Sequence, residues 1–203
     1  VDSTFLAVLL RDVLGRDVTP VLVAQPFLGE GELGGARKTA RELGFSLLEV
    51  EADPLSSSAV RENPPDRCYH CKRLVMGLVL DAARGAGCEA VCDGTNADDR
   101  AAYRPGGRAL RELGVLSPLA AAGFTKNDVR EASRLLGLPT WEKPAFSCLA
   151  TRFPYGTALT REGLSMVERA EDAVRRAASV RQVRVRAHGD VARIEVPPEA
   201  FGE

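Results

Sequence analysis

The chain has 203 residues, 45% of them hydrophobic and 27% charged, with 27 Lys+Arg against 28 Asp+Glu. So even a charge balance leaves no basic field for wholesale nucleic-acid binding. No apolar run reaches the roughly 20 residues of a membrane-spanning helix, and no basic-then-apolar leader opens the sequence, so the cytoplasm is the expected compartment.

In chain order, Asp2-Ser3-Thr4 reads as a helix entry, and Leu6, Leu9, Leu10, Val13 and Leu14 follow as a helical apolar stripe. VTPVLVAQP is β-branched and apolar and suits a buried parallel strand. ELGGARKTARELG predicts a helix stopping at Gly44, and FSLLEVE a further strand. Helix, strand, helix, strand is the rhythm of a doubly wound α/β fold, here with its first strand missing.

A loop carrying Ser56-Ser57-Ser58 and Asn63-Pro64-Pro65 delivers DRCYHCKRLVMGLVLDAARGAG, with Asp66 as the expected N-cap. Cys68 and Cys71 then share one face of the first turn, near the positive end of the helix dipole. Such a pair suits a redox couple, half of a zinc site, or two ligands of an iron–sulfur cluster. With five cysteines (68, 71, 88, 92 and 148), the chain fits a reducing compartment better than a secreted disulfide framework. CEAVC is an expected strand with Cys88 and Cys92 facing one way as small buried hydrophobes.

DGTNADD follows at the carboxyl end of that strand, where open α/β sheets place ligands. Asp93, Asn96, Asp98 and Asp99 make either a polar turn or a group that orients Mg²⁺ or a ribose. After YRPGGRALRELG, SPLAAAGFTKNDVREASRLLG predicts a helix capped by Thr125, with Asp128 placed for a capping box.

PTWEKPAFSCLATRFPYG, residues 139–156, is stiffened by Pro139, Pro144 and Pro154 and carries Trp141, Phe146, Phe153 and Tyr155. It reads either as a linker with a structural cysteine or as a rigid loop presenting Cys148 beside Arg152, a cation that would favour the thiolate. Thr160 caps REGLSMVERAEDAVRRAAS, with a stripe through Leu164, Val167, Ala170 and Val174. QVRVRAHGDVARIEV reads as a hairpin turning at His188-Gly189-Asp190. Val183 and Val185 alternate with Arg184 and Arg186, so one face bears two guanidiniums, suited to phosphate or carboxylate or simply to a charge-blunted edge strand.

Val1-Asp2-Ser3-Thr4 resembles the tail of the pyrophosphate-loop signature SGGxDS[ST]. RCYHCK, DGTNADD with YRPG, SPL with TKNDVR, LGLPTWEKPAFSCLATRFPYG and RVRAHGDVARIEV together resemble the LarE family across almost the whole chain. That family comprises ATP-dependent sacrificial sulfur transferases that build the nickel-pincer nucleotide cofactor of lactate racemase. The resemblance implies an adenine-nucleotide alpha-hydrolase-like, mainly parallel sheet lacking its first strand, with a small truncated α+β C-terminal domain. It implies an ATP domain at 1–138, a cysteine-bearing connection at 139–158 and a partial substrate domain at 159–203.

It further implies ATP binding by Asp2, Ser3, Thr4, Gly94 and Thr95, with Mg²⁺ at Asp98 and Asp99. A substrate carboxylate is adenylated, Cys148 attacks to form a thioester, and the cysteine's carbon–sulfur bond breaks to leave sulfur on the substrate. Arg184 and Arg186 are implied at the phosphate and carboxylates of a pyridinium mononucleotide, and Arg152 is added from its spacing to Cys148. Cys68, Cys71 and Cys148 resemble the triad of family members that carry sulfur on a [4Fe–4S] cluster, the version favoured here. The implied partners are a small nucleotide substrate and further copies of the chain in a homo-oligomer, with neither nucleic acid nor membrane. The fragment itself, without Ser-Gly-Gly, is expected to be inactive. An amidating ligase of the NAD-synthetase type and a non-catalytic metal-binding remnant are the competing readings.

Overall fold

The computed structural model describes residues 1–15, 18–101 and 105–200, without the side chains of residues 100 and 101. Tyr103 and Arg104 of the YRPG motif, and the terminal Gly202-Glu203, lie outside the described residues. The described helices in chain order are α1 Asp2–Leu14, α2 Glu30–Glu42, α3 Ser58–Arg61, α4 Arg67–Gly85, α5 Ala97–Ala101, α6 Pro105–Glu112, α7 Pro118–Ala121, α8 Lys126–Leu135 and α9 Arg161–Ala178. The strands are β1 Val21–Ala24, β2 Leu48–Glu51, β3 Arg184–His188 and β4 Val191–Glu195. Among these described helices, none is long and apolar enough to cross a membrane.

The chain forms two compact units that do not follow sequence order. One comprises Val1–Ala24, Gly31–Ala52 and Cys68–Lys143, and the other Gln25–Glu30, Asp53–Arg67 and the chain from Pro144 onward. Backbone hydrogen bonds explain why 25–30 and 53–67 join the C-terminal part: Leu149 N donates to Phe27 O at 3.0 Å, Gly156 N to Asn63 O at 2.9 Å, and Leu159 N to Arg61 O at 2.8 Å. Such pairings link distant segments and leave no trace in local periodicity. The expected 139–158 connection is parted between the units, through Lys143 in the first and from Pro144 in the second.

In the first unit, β1 and β2 pair in parallel, from Val21↔Leu48 to Ala24↔Glu51. Gly44 ends the helix between them as expected: it takes φ 70°, and Phe45 N reaches back to Ala40 O at 2.9 Å. One core gathers Phe5, Leu6, Val8, Leu119, Val129 and Leu138; another gathers Met76, Val79, Leu110 and Val115, with Val21 and Val23 of β1 against it. The α1 stripe is shorter than predicted, because Val13 is 71% and Leu14 53% exposed.

The expected CEAVC strand is reduced to one parallel bridge, Cys92↔Leu116, flanked by Leu116 N→Val91 O at 2.9 Å and Asp93 N→Leu116 O at 2.8 Å. The described parallel pairing is therefore two separate pieces, the β1–β2 pair and this bridge. Cys88 is exposed, contrary to expectation, because it closes the turn after α4 through Cys88 N→Ala83 O at 2.9 Å. Cys92 is half-buried against the Phe5 core, and burial, with Asp93 beside it, pushes its thiol pKa up.

In the second unit, Thr160 caps α9 by accepting Gly163 N at 3.0 Å. The buried line on α9 runs through Leu164, Val167 and Glu171, an i, i+3, i+7 face, so a carboxylate stands in a core position that the apolar stripe assigned to its neighbours. β3 and β4 pair antiparallel from Arg184↔Glu195 to His188↔Val191, and Gly189, at φ 60°, makes the tight turn as predicted. Val183 and Val185 are buried, which leaves Arg184 and Arg186 on the opposite face.

The capping box on α8 is complete. Thr125 Oγ1 accepts Asp128 N at 3.2 Å, and Thr125 N donates to Asp128 Oδ2 at 2.9 Å. Thr125→Ala should cost about 1 kcal/mol and lower the thermal midpoint by roughly 2–4 °C, read by circular dichroism.

Candidate functional site

The first constellation lies at the N-terminus of α1. Its first intrahelical bond is Phe5 N→Val1 O at 2.9 Å, so the N–H groups of Asp2, Ser3 and Thr4 lack intrahelical partners at the positive end of a thirteen-residue helix. Such an end holds anions. Gly94 lies against it: a Cβ there would stand 2.8 Å from Ser3 N, so only glycine lets the DGTN segment come this close.

Asp2 anchors the constellation. Asn96 Nδ2 donates to its Oδ1 at 3.1 Å, and Lys126 Nζ bonds its Oδ2. Burial pushes the Asp2 carboxyl up, but the hydrogen bonds from Lys126 and Asn96 and the Lys126 charge outweigh it and hold the pKa below the usual carboxylate range. Asp93 accepts Ser117 Oγ at 2.7 Å and Thr95 Oγ1 at 2.5 Å, which fixes the loop around Gly94 and Thr95. Gly94, and with it the loop that carries Thr95, lies beside the start of α1.

Asp98 and Asp99 have structural tasks. Asp98 Oδ2 accepts Lys126 N at 2.8 Å, and Asp99 Oδ2 accepts Asn96 N at 3.3 Å while Asn96 Oδ1 accepts Asp99 N at 3.1 Å. Among the described residues no three His, Cys, Asp or Glu side chains converge to hold a metal. Of the three cysteines expected as cluster ligands, exposed Cys68 and half-buried Cys71 lie in the first turn of α4 in the first unit, and half-buried Cys148 lies in the second.

The second constellation surrounds Cys148, which is half-buried and precedes a 3₁₀ turn, Leu149–Arg152. Leu149 and Ala150 are buried, and Thr151 returns both N and Oγ1 to Cys148 O, at 2.9 and 2.7 Å. Two side chains that the sequence did not single out hold the far end of the loop. Asn63, fully buried at φ 57°, donates Nδ2 to Pro154 O at 2.8 Å, and Arg67 bonds Asn63 Oδ1 and reaches Ala150 O at 3.2 Å. The Asn-Pro-Pro run was the available signal for a constrained turn.

Arg152 departs from expectation. It is 2% exposed, and its Nε and Nη2 meet Glu171 Oε1 and Oε2 at 2.6 and 3.2 Å. Nη1 donates to Ser147 O at 3.1 Å, Ser147 Oγ at 2.6 Å and Thr151 Oγ1 at 2.9 Å. A guanidinium so buried and so fully engaged has no fork to offer a substrate, and its charge is neutralised by Glu171. The expected Arg184/Arg186 pair also divides. Arg186 donates Nε to Glu195 Oε1 at 2.8 Å and Nη1 to Thr151 O at 2.9 Å, while half-buried Arg184 makes no hydrogen bond or ion pair among the described residues. Hydrogen bonds from Arg186 and then Arg193 lower Glu195 to about 2.

Asp2→Asn tests the α1 constellation. A depressed carboxyl stabilises the fold above its unfolded pKa and loses that contribution as pH falls through its folded pKa. Wild type should therefore exceed the variant by about 1 kcal/mol at pH 7, and the gap should close below about pH 4, in urea titrations across pH. Gly94→Ala should destabilise by about 1–3 kcal/mol through overpacking against Ser3, by the same measurement.

No family model matches the chain. It is 42% identical over 98% of its length to the uncharacterized protein slr1717 of Synechocystis sp., covering 74% of that protein. It is 39% identical over its full length to the pyridinium-3,5-bisthiocarboxylic acid mononucleotide synthase of Lactiplantibacillus plantarum, again covering 74%. Over 86% of its length it is 28% identical to a glutamine-hydrolyzing GMP synthase of Aeropyrum pernix, of which it covers 37%. Identity of 39% over the whole chain to the synthase, of which it covers 74%, identifies the chain as a member of the LarE family of sulfur transferases.

Proposed function

We propose that this chain is an ATP-dependent sulfur transferase that adenylates a carboxylate of a pyridinium mononucleotide and returns it as a thiocarboxylate, the product class named in the Lactiplantibacillus relative. One observation carries the reading: Cys148 stands at the head of a turn held from both ends by buried side chains, the support a thiol needs to attack a fixed acyl group. The first unit is then the adenylating unit, and the kinship with a GMP synthase supports a doubly wound, pyrophosphate-loop frame for it.

In the first step a substrate carboxylate oxygen attacks the α-phosphorus of ATP, and pyrophosphate leaves. The N–H groups at the start of α1, with Gly94 giving close approach and Thr95 holding the loop, stabilise the charge on the phosphates. ATP brings its Mg²⁺ with it as part of the substrate. In the second step the Cys148 thiolate attacks the acyl carbon, and AMP departs with the C–O electron pair. Loss of the Cys148 Cα proton to a base then releases sulfur with the Cβ–Sγ electron pair, leaving a thiocarboxylate and a dehydroalanine. Arg184, whose guanidinium is uncommitted, is the anion-binding side chain of the second unit in this scheme.

A second reading, an amidating ligase, draws on the GMP synthase kinship and shares the adenylation step. It needs no thiol, so Cys148 separates the two. With ATP and the carboxylate mononucleotide, wild type should exchange labelled pyrophosphate into ATP and lose about 34 Da, the mass of H₂S, at Cys148 per turnover. Cys148→Ala should keep the exchange within about twofold, since adenylation uses no thiol, and lose thiocarboxylate formation entirely. Thiocarboxylate formation by Cys148→Ala would overturn the assignment.

A further inference from the structure

The structure assigns to Glu171 the role of positioning residue for the Cys148 thiol, exerted through Arg152; the assignment rests on the reading of Cys148 as sulfur donor. Arg152 divides its donors between two tasks. One edge grips Glu171, through Nε at 2.6 Å and Nη2 at 3.2 Å, and Nη1 holds acceptors on both sides of the cysteine: Ser147 O at 3.1 Å, Ser147 Oγ at 2.6 Å and Thr151 Oγ1 at 2.9 Å, with Cys148 O at 3.5 Å. The backbone on either side of Cys148 is therefore tied to a single planar group.

That group is 2% exposed and stays in place only because a countercharge does. Glu171, itself 1% exposed, is fixed from three directions: Arg152, Arg175 Nη2 to Oε2 at 3.0 Å, and Val185 N to Oε1 at 3.0 Å. Next to Val185 on β3, Arg186 bonds Thr151 O at 2.9 Å, so α9 and β3 hold the cysteine turn through adjacent residues. Without the carboxylate, the guanidinium would be drawn toward water and release Ser147 and Thr151. A thiol displaced by about 1 Å from its attack geometry loses on the order of a hundredfold in rate. Glu171 touches no reacting atom in this account and acts only through Arg152.

The test uses the full chain with Glu171→Gln, Glu171→Asp and Ser147→Ala. Three quantities are read: carboxylate-dependent pyrophosphate exchange, sulfur transferred to the carboxylate mononucleotide, and the rate of Cys148 alkylation by iodoacetamide against pH, followed by peptide mass. Glu171→Gln should keep exchange within about twofold while sulfur transfer falls ten- to a hundredfold.

Its Cys148 alkylation should be faster than wild type's, because release of Ser147 and Thr151 frees the turn that holds the thiol. Glu171→Asp should recover part of the transfer rate. Ser147→Ala, which deletes one neutral acceptor and keeps the ion pair, should lose about two- to tenfold in transfer, so the proposal can be judged even where Glu171→Gln does not fold. A lower melting temperature for Glu171→Gln with unchanged transfer and alkylation would make Glu171 structural only and overturn the assignment, as would wild-type transfer by Ser147→Ala. Absence of exchange and sulfur transfer in wild type would instead sink the proposed function. The alkylation profile, which needs no substrate, then still decides whether Glu171 controls the thiol.

Discussion

The second unit depends on one buried ion pair, Arg152 with Glu171. Two charges withdrawn from water cost several kcal/mol each in desolvation, on the order of what their attraction returns. Such a pair is weak as a source of stability. Breaking it by removing one partner is costly, about 3–5 kcal/mol, because the other charge is stranded. What it confers here is a unique arrangement. Helix α9, strand β3 and the 3₁₀ turn after Cys148 meet through Glu171 Oε1 and Oε2 and the Arg152 fork, and alternative packings of the three would leave a charge unsatisfied.

The pair also sets the electrostatics of the thiol. A lone arginine four residues from a cysteine would favour the thiolate. An arginine locked to a buried glutamate presents little net charge, so Arg152 acts on Cys148 through geometry. Asn63 and Arg67 complete the same design on the other side by fixing Ala150 and Pro154. The cysteine is therefore rigid in its backbone while its side chain stays half-buried, an arrangement suited to a reactive thiol rather than a core-filling one.

The two units solve different physical problems. At the start of α1, backbone N–H groups at a helix end are presented, with Asp2, Asn96 and Lys126 holding the pieces in register and Gly94 allowing the close approach. Around Cys148 the elements are side-chain forks and buried hydrogen bonds. Backbone donors are generic and tolerate much sequence around them; a network of charged side chains fails if a single member changes.

Much of this was legible in the residues. Helix entries at Asp2, Thr125 and Thr160, the Gly44 stop, the Gly189 turn and the parallel β1–β2 pair follow from caps, glycine φ and apolar period, all properties of a few consecutive residues. The motif blocks also gave the family. Three things were not local, and only the tertiary structure decided them. The strand expected at 88–92 contracted to one bridge, because a strand needs a neighbour and the sequence alone does not supply one. Arg152 was read as a free cation beside Cys148, since nothing nearby in sequence offers a countercharge; Glu171 lies nineteen residues beyond it, on another element. The interleaved units depend on hydrogen bonds such as Leu159 N→Arg61 O. Short-range chemistry wrote the elements into the sequence, while long-range partners, set only when the chain closes on itself, determined which charged side chains are paired.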